Sequence, residues 1–235
     1  IFPQAAQGFV SPAAVSGPNV LGSSSDNQLY SHDLASGTQR WRYNLQNMSQ
    51  LAPSIQDGLI YLLLGGRTMV CLQDQGNAAG LIWQSDLPYN ATSSMTIWLD
   101  TIFIGSGEGG DARLVAMRRG DPNDRREFAD PNGRVQQPAV GGETVFVGAD
   151  RLWAIDANLW AGQEIVWTSP DVFNVTAPPV YASPGVVKLA ELYVADNSGT
   201  VHALDANTGV RFWTHSFGAT VTALAVNDSS VFIAG

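Results

Sequence analysis

The feature that most limits what this chain can fold into is an internal repeat. Between Leu192 and Trp213 stand three short β-prone runs divided by two clusters of turn formers. Leu192–Ala195 leads into Asp196-Asn197-Ser198-Gly199, and Thr200–Asp205 leads into Ala206-Asn207-Thr208-Gly209. Val210–His215 then carries Trp213. Asp and Asn bond their own backbone and Gly tolerates positive φ, so both clusters predict tight turns. The second suits a type I turn closed by a left-handed Gly. The spacing Asp205, Thr208, Gly209, Trp213 recurs as Asp33, Ser36, Gly37, Trp41, and Gln28–Asp33 aligns with Thr200–Asp205.

Degenerate copies lie between these two. Leu59–Leu64 and Thr68–Leu72 close at Trp83. Thr101–Gly105 and Leu114–Met117 precede Phe128, which stands where a Trp would. Thr144–Gly148 and Leu152–Asp156 close at Trp167 after an enlarged turn. A further strand start marks the repeats at Ser11–Val15, Ala52–Ile55, Gln137–Val140, Ala177–Val180 and Thr220–Val226. Each repeat is thus four short strands over roughly 40 residues, the length of a propeller blade. The expected fold is all-β, a β-propeller of four-stranded antiparallel blades in a single domain spanning residues 1–235. About five full blades fall at 10–46, 50–88, 93–130, 135–170 and 175–217, and a partial blade at 220–235 would be completed by residues 1–9. Such a count fits a small, imperfectly closed ring or a fragment of a seven- or eight-bladed one, and the fragment is the expectation. Val201 and Ala203 on one face of their strand and Leu204 on the other make it apolar on both sides. Such a strand needs a sheet above and below, whereas a β-sandwich would show polar outer faces.

Composition agrees. Charged residues are 14% of the 235, low beside the usual ~25%, as mutually buried sheets require. The net charge of -9 argues against a nucleic-acid backbone as the main ligand. No apolar run approaches the ~18 residues of a membrane span. Cys71 is the only cysteine, so no intrachain disulfide forms, and its apolar neighbours predict a buried, inert thiol. The chain opens on Ile1 without a signal-peptide pattern, and is expected to be a mature or excised part of a longer product.

Ala203–Trp213 resembles the repeat of the pyrroloquinoline-quinone-like (PQQ-like) β-propellers. The match is strong at Asp33–Trp41 and Asp205–Trp213, partial around Trp83 and Trp167, and weak around Phe128. In that family the Trp docks between neighbouring blades while the Asp and Gly shape the turn. The resemblance therefore implies blade docking, not catalysis, for Asp33, Gly37, Trp41, Trp83, Trp167, Asp205, Gly209 and Trp213. It also implies an extracytoplasmic location, in the periplasm or at the cell surface. The family includes BamB-type outer-membrane assembly factors, ligand-sensing ectodomains and quinoprotein alcohol dehydrogenases. Two functions follow. One is a non-catalytic binding or scaffold module of the cell envelope with a protein partner. The other is a fragment of a PQQ-dependent dehydrogenase. Those enzymes use an adjacent Cys-Cys ring, which a single cysteine excludes from this chain. The first reading is preferred, with no catalytic residue, no cofactor and no metal ligand assigned and any small-molecule ligand unknown.

Little else suggests chemistry. His32, His202 and His215 have no second His or Cys at metal-ligand spacing. Gly105–Gly110 lacks the Lys and following helix of a phosphate loop. Four Asn-x-Ser/Thr sequons, at Asn47, Asn90, Asn174 and Asn227, and the tripeptide Arg119-Gly120-Asp121 are read as products of turn composition. Arg113, Arg118, Arg119, Arg125 and Arg126 form the one basic concentration, in the least regular repeat and interleaved with acids. Local ion pairs on a solvated loop and a partner-binding loop both fit it. Function is expected where the repeat breaks down, between Gly105 and Gly133.

Overall fold

The computed structural model describes residues 8–49, 51–161, 165–183, 190–227 and 229–235. Five sheets of four strands and one of two follow one another along the chain. The first holds β1 (Ala14–Ser16), β2 (Asn19–Ser23), β3 (Gln28–Asp33) and β4 (Gln39–Asn44), and the second β5 (Ser54–Gln56), β6 (Leu59–Leu64), β7 (Thr68–Asp74) and β8 (Ala79–Asp86). The third holds β9 (Thr96–Trp98), β10 (Thr101–Ser106), β11 (Arg113–Arg118) and β12 (Arg125–Phe128). The fourth holds β13 (Ala139–Gly141), β14 (Thr144–Gly148), β15 (Arg151–Asp156) and β16 (Ile165–Phe173). The fifth holds β17 (Val180–Ala182), β18 (Glu191–Ala195), β19 (Thr200–Asp205) and β20 (Arg211–Ser216), and the sixth β21 (Ala223–Val226) and β22 (Val231–Ala234). Strands pair in sequence order, antiparallel to their neighbours. These are propeller blades.

The turns form as their side chains dictate. Asp33 Oδ1 accepts the backbone N–H of Ala35 (3.1 Å) and Ser36 (2.9 Å), and Asp205 Oδ1 accepts those of Asn207 (2.8 Å) and Thr208 (3.2 Å). Gly37 and Gly209 follow at φ 70° and 72°, in the left-handed region that glycine enters without strain. The Arg40 guanidinium, 2.6 Å from Asp33, holds that carboxyl well below the usual carboxylate range.

A β-bulge precedes every repeat Trp. Ser31 faces Trp41 while His32 faces Gln39, which leaves Arg40 unpaired. Ile82, Val166 and Phe212 are left over in the same way before Trp83, Trp167 and Trp213. The extra residue re-aims the Trp that follows it. In the third blade, which has Phe128 in place of Trp, pairing runs unbroken from Leu114–Phe128 to Met117–Arg125.

The chain divides into two compact units. One draws on residues up to Ala91 with Gly120–Asn123, the other on Thr92–Arg119 and the residues from Asp124 onward. In the first, Leu21, Leu29 and Trp41 of one blade pack with Ile60, Leu62 and Leu72 of the next. Trp41 is only 4% exposed, and its Nε1–H donates to Asp74 Oδ1 (3.1 Å), at the end of β7. Asn19 Nδ2 donates to the other oxygen of Asp74 (3.0 Å). In the second unit Trp167 Nε1–H donates to the Ala206 carbonyl (3.1 Å), and a Cβ on Gly209 would lie 2.7 Å from the Trp167 ring. Gly209 is therefore required twice, for its φ and for the closeness of that ring. Cys71 is fully buried on β7.

One expectation differs from the structure. Trp213 carries the clearest repeat yet is 41% exposed, against Tyr193 of its own sheet at 5.9 Å. Trp41 and Trp167 are covered by the turn after the next blade's third strand; β21 and β22 supply no such turn. The pairing expected of residues 1–9 lies largely outside the described residues, while Phe9 bridges Ser24 in the first sheet.

This contrast is measurable. Trp41→Ala is expected to cost about 3–5 kcal/mol in urea unfolding, the range for a buried Trp. Trp213→Ala should cost much less. Equal penalties would show that Trp213 is buried in solution.

Candidate functional site

Polar side chains free of the repeat's packing gather between the third and fourth blades. The tight turn joining β9 to β10 places Leu99 at φ 51° with Asp100 beside it. A groove of about 330 Å³ opens there, lined by Trp98, Asp100 and Arg118 of the third blade and Glu143, Asp156 and Asn158 of the fourth.

Arg118, at the end of β11, organises one wall. Its Nη1 donates to Asp100 Oδ1 (2.6 Å) and Thr101 Oγ1 (3.1 Å). Its guanidinium carbon lies 3.9 Å from the centre of the Trp160 ring. Trp160 Nε1–H donates in turn to Asp124 Oδ1 (2.7 Å), and Arg126 approaches both Asp124 (3.8 Å) and the Trp160 ring (5.7 Å). Cations over a Trp face are attracted by the ring quadrupole, so Trp160 holds Arg118 where Asp100 and Asp124 neutralise it. The inter-blade contact is reversed relative to the others. At Trp41 and Trp167 a fourth-strand Trp donates to the next blade's turn. Here the turn's own Trp160 reaches back, and Phe128 packs edge-on against Trp153 at 5.5 Å.

The five arginines do not form one patch. Arg113 pairs with Glu127 (2.8 Å) across β11 and β12. Arg119 Nη1 donates to the Leu99 carbonyl (2.9 Å). Arg125 lies opposite Met117, and its carbonyl accepts from Arg126 (2.9 Å). The geometry is that of local ion pairs. Only Arg118 lines the groove. The sequence reading missed Trp98, Asp100, Glu143 and Trp160. One signal was available for the last, a Trp inside the enlarged turn and out of register with the repeat.

Two of the three histidines, His32 and His202, are buried. Burial pushes His32 below its usual pKa, and its ring stacks 6.1 Å from Tyr30. His202 lies buried with Nε2 2.8 Å from Asp196 Oδ2. Burial alone would raise Asp196, but hydrogen bonds from Ser198, His202 and the Thr200 N–H outweigh it and hold the carboxyl below its ordinary value. His215 lies in the exposed strand β20, 4.6 Å from Phe217. Among the described residues no three His, Cys, Asp or Glu side chains gather as metal ligands would. Cys71, the one cysteine of the sequence, is fully buried in a strand.

The depressed Asp196 pKa fixes the sign of a pH effect. Its contribution to stability is fully present above the unfolded value near 3.9 and is lost as pH falls through the lower folded value. Asp196→Asn should lower the unfolding midpoint at pH 7 and flatten its decline between about pH 5 and 2. A decline as steep as that of the wild type would clear Asp196 of this role.

Comparison with known proteins agrees with this architecture. Residues 154–235 match the family described as outer membrane protein assembly factor BamB. No curated protein matches the chain in sequence. Among solved structures, the computationally designed Ika8 protein superposes with a TM-score of 0.74 at 15% identity, over 96% of this chain and 67% of that one. BamB from Moraxella catarrhalis gives 0.58 at 16% identity, over 98% and 81%. Quinohemoprotein alcohol dehydrogenase from Comamonas testosteroni gives 0.70 at 14% identity, over 90% and 43%. The likeness to the PQQ-like propellers is thus met in sequence over 154–235 and in fold over nearly the whole chain. No helix among the described residues is long and apolar enough to cross a membrane.

Proposed function

We propose that this chain is a non-catalytic, extracytoplasmic scaffold propeller whose protein partner docks in the groove between the third and fourth blades. The observation that carries the reading is the fixed Arg118–Trp160–Asp124 assembly beside an open polar groove. Side chains held in this way present a rigid surface, as recognition requires. The family match supports it, because residues 154–235 include Asp156, Asn158 and Trp160. Asp100, Glu143 and Asp156 line the groove against the single guanidinium of Arg118, so a partner presenting Lys or Arg complements its charge.

Envelope extract passed over the immobilised chain provides the test. Wild type should retain a partner whose binding weakens with salt. Glu143→Lys should lose it by about tenfold with an unchanged melting temperature, since it reverses an exposed charge in the lining. A partner held equally well by Glu143→Lys and by Trp98→Ala would move the interface elsewhere. The dehydrogenase reading predicts saturable uptake of the quinone with Ca²⁺ and alcohol oxidation by the loaded chain, and finding both would overturn the scaffold reading.

A further inference from the structure

The turn between β9 and β10 carries a residue that its backbone does not favour. Leu99 stands at φ 51°, in the left-handed region that a branched side chain enters only at a conformational cost. The same two-residue turn joins the first two strands of three other blades. There Ser16 faces Asn19, Gln56 faces Leu59 and Gly141 faces Thr144, as Trp98 faces Thr101 here. The residues in the place of Leu99 are Gly17, Asp57 and Gly142, at φ 53°, 54° and 62°. Glycine and aspartate tolerate that conformation. Of these four turns, only that of the third blade holds a large apolar side chain.

Burial does not compensate for the strain. Leu99 is 64% exposed, more than any other large apolar side chain among the described residues. A single exposed leucine is ordinary on a surface. One held in a disfavoured backbone is not, and such strain persists where the surroundings enforce it. Here β11 enforces it. The Arg119 N–H donates to the Asp100 carbonyl (2.7 Å) and its Nη1 to the Leu99 carbonyl (2.9 Å). Arg118, stacked on Trp160, holds the Asp100 carboxylate. These bonds engage main chain and Asp100, so glycine at position 99 would satisfy them equally. The Leu99 side chain is therefore not needed for the turn. It lines the groove beside Trp98 and Asp100, and Glu143, next to Gly142 in the corresponding turn of the fourth blade, lines it too.

We propose that Leu99 is the apolar anchor of this groove, and that the partner segment docking there carries an apolar side chain flanked by Lys or Arg. The proposal rests on the reading of the groove as the docking site and adds what the partner must present. The partner's apolar side chain packs on Leu99, and its cations meet Asp100, Glu143 and Asp156, as charge complementarity with an acidic lining requires. A turn already fixed by two arginines loses little freedom when the partner arrives.

The test uses the whole chain and a synthetic twelve-residue peptide with Arg-Leu-Lys at its centre. Saturable binding by titration calorimetry, weakening with salt, is expected. An Arg-Ser-Lys peptide on the wild type, and the Arg-Leu-Lys peptide on Leu99→Asn, should each bind about fivefold more weakly, the worth of one partly buried apolar side chain. Asn keeps the left-handed conformation. Combining the two changes should weaken binding little further, as for groups in contact. Leu99→Gly should bind as weakly as Leu99→Asn yet melt no lower than the wild type, because it removes strain along with the side chain. A melting temperature several degrees lower would make Leu99 a folding residue and overturn the proposal. Absent binding of the Arg-Leu-Lys peptide overturns it too, as does binding indifferent to both Leu99 variants. If Glu143→Lys still weakens binding in that last case, the groove reading stands and the anchor alone fails. If Glu143→Lys has no effect either, the groove reading fails with it.

Discussion

Two of the blade interfaces depend on one contact: the repeat Trp against the turn of the neighbouring blade. It needs three things at once. A bulge before the Trp must turn its side chain into the interface, as the unpaired Arg40 and Val166 show before Trp41 and Trp167. The receiving turn must offer an oxygen, Asp74 in one case and the Ala206 carbonyl in the other. The turn must also be low enough to admit the ring, which Gly209 secures. Because the buried N–H would otherwise lose its hydrogen bond with water, the contact fixes where the next sheet sits as well as holding it there.

The third and fourth blades keep the interface while giving up that contact, and the candidate site arises there. Phe128 fills the apolar part of the Trp position and needs no oxygen. The turn of the fourth blade is then free to enlarge. Trp160 in that turn takes its acceptor from Asp124 and carries Arg118 on its face. An ion pair of this kind adds little stability at a surface. Its effect is geometric, since it fixes long side chains that would otherwise lose entropy on binding a partner.

Much of the fold was legible because the information is local. Asp33 and Asp205 make their turns with residues two and three places away, and Gly37 and Gly209 close them. What was not legible depends on a second sheet. Asp33–Trp41 and Asp205–Trp213 have the same spacing, yet Trp41 is buried and Trp213 is not, because the covering turn belongs to another blade. The groove escaped for the same reason. Asp100 and Arg118 are eighteen positions apart and are brought together by the pairing of β10 with β11, while Asp124 and Trp160, thirty-six apart, are brought together by packing of one blade on the next. The arginine cluster looked like a patch because sequence neighbours on a strand point to opposite faces.

A second set of contacts accounts for the Thr of two of the four sequons. Thr92 Oγ1–H donates to the Val135 carbonyl (3.0 Å), Gln136 Nε2–H to that of Val175 (3.2 Å), and Thr176 Oγ1–H to that of Val221 (2.7 Å). Each donor lies in the link leading into a blade and each acceptor in the link leading into the next. The Thr of Asn90-Ala91-Thr92 and of Asn174-Val175-Thr176 is therefore placed by this chain of bonds. Within the second unit every interface carries such a bond in addition to its apolar contacts. Stability there is close to a sum of nearest-neighbour terms, as in other repeat proteins. One interface can then trade its Trp contact for a polar groove without unfolding the next, because the link bonds on either side still hold the register.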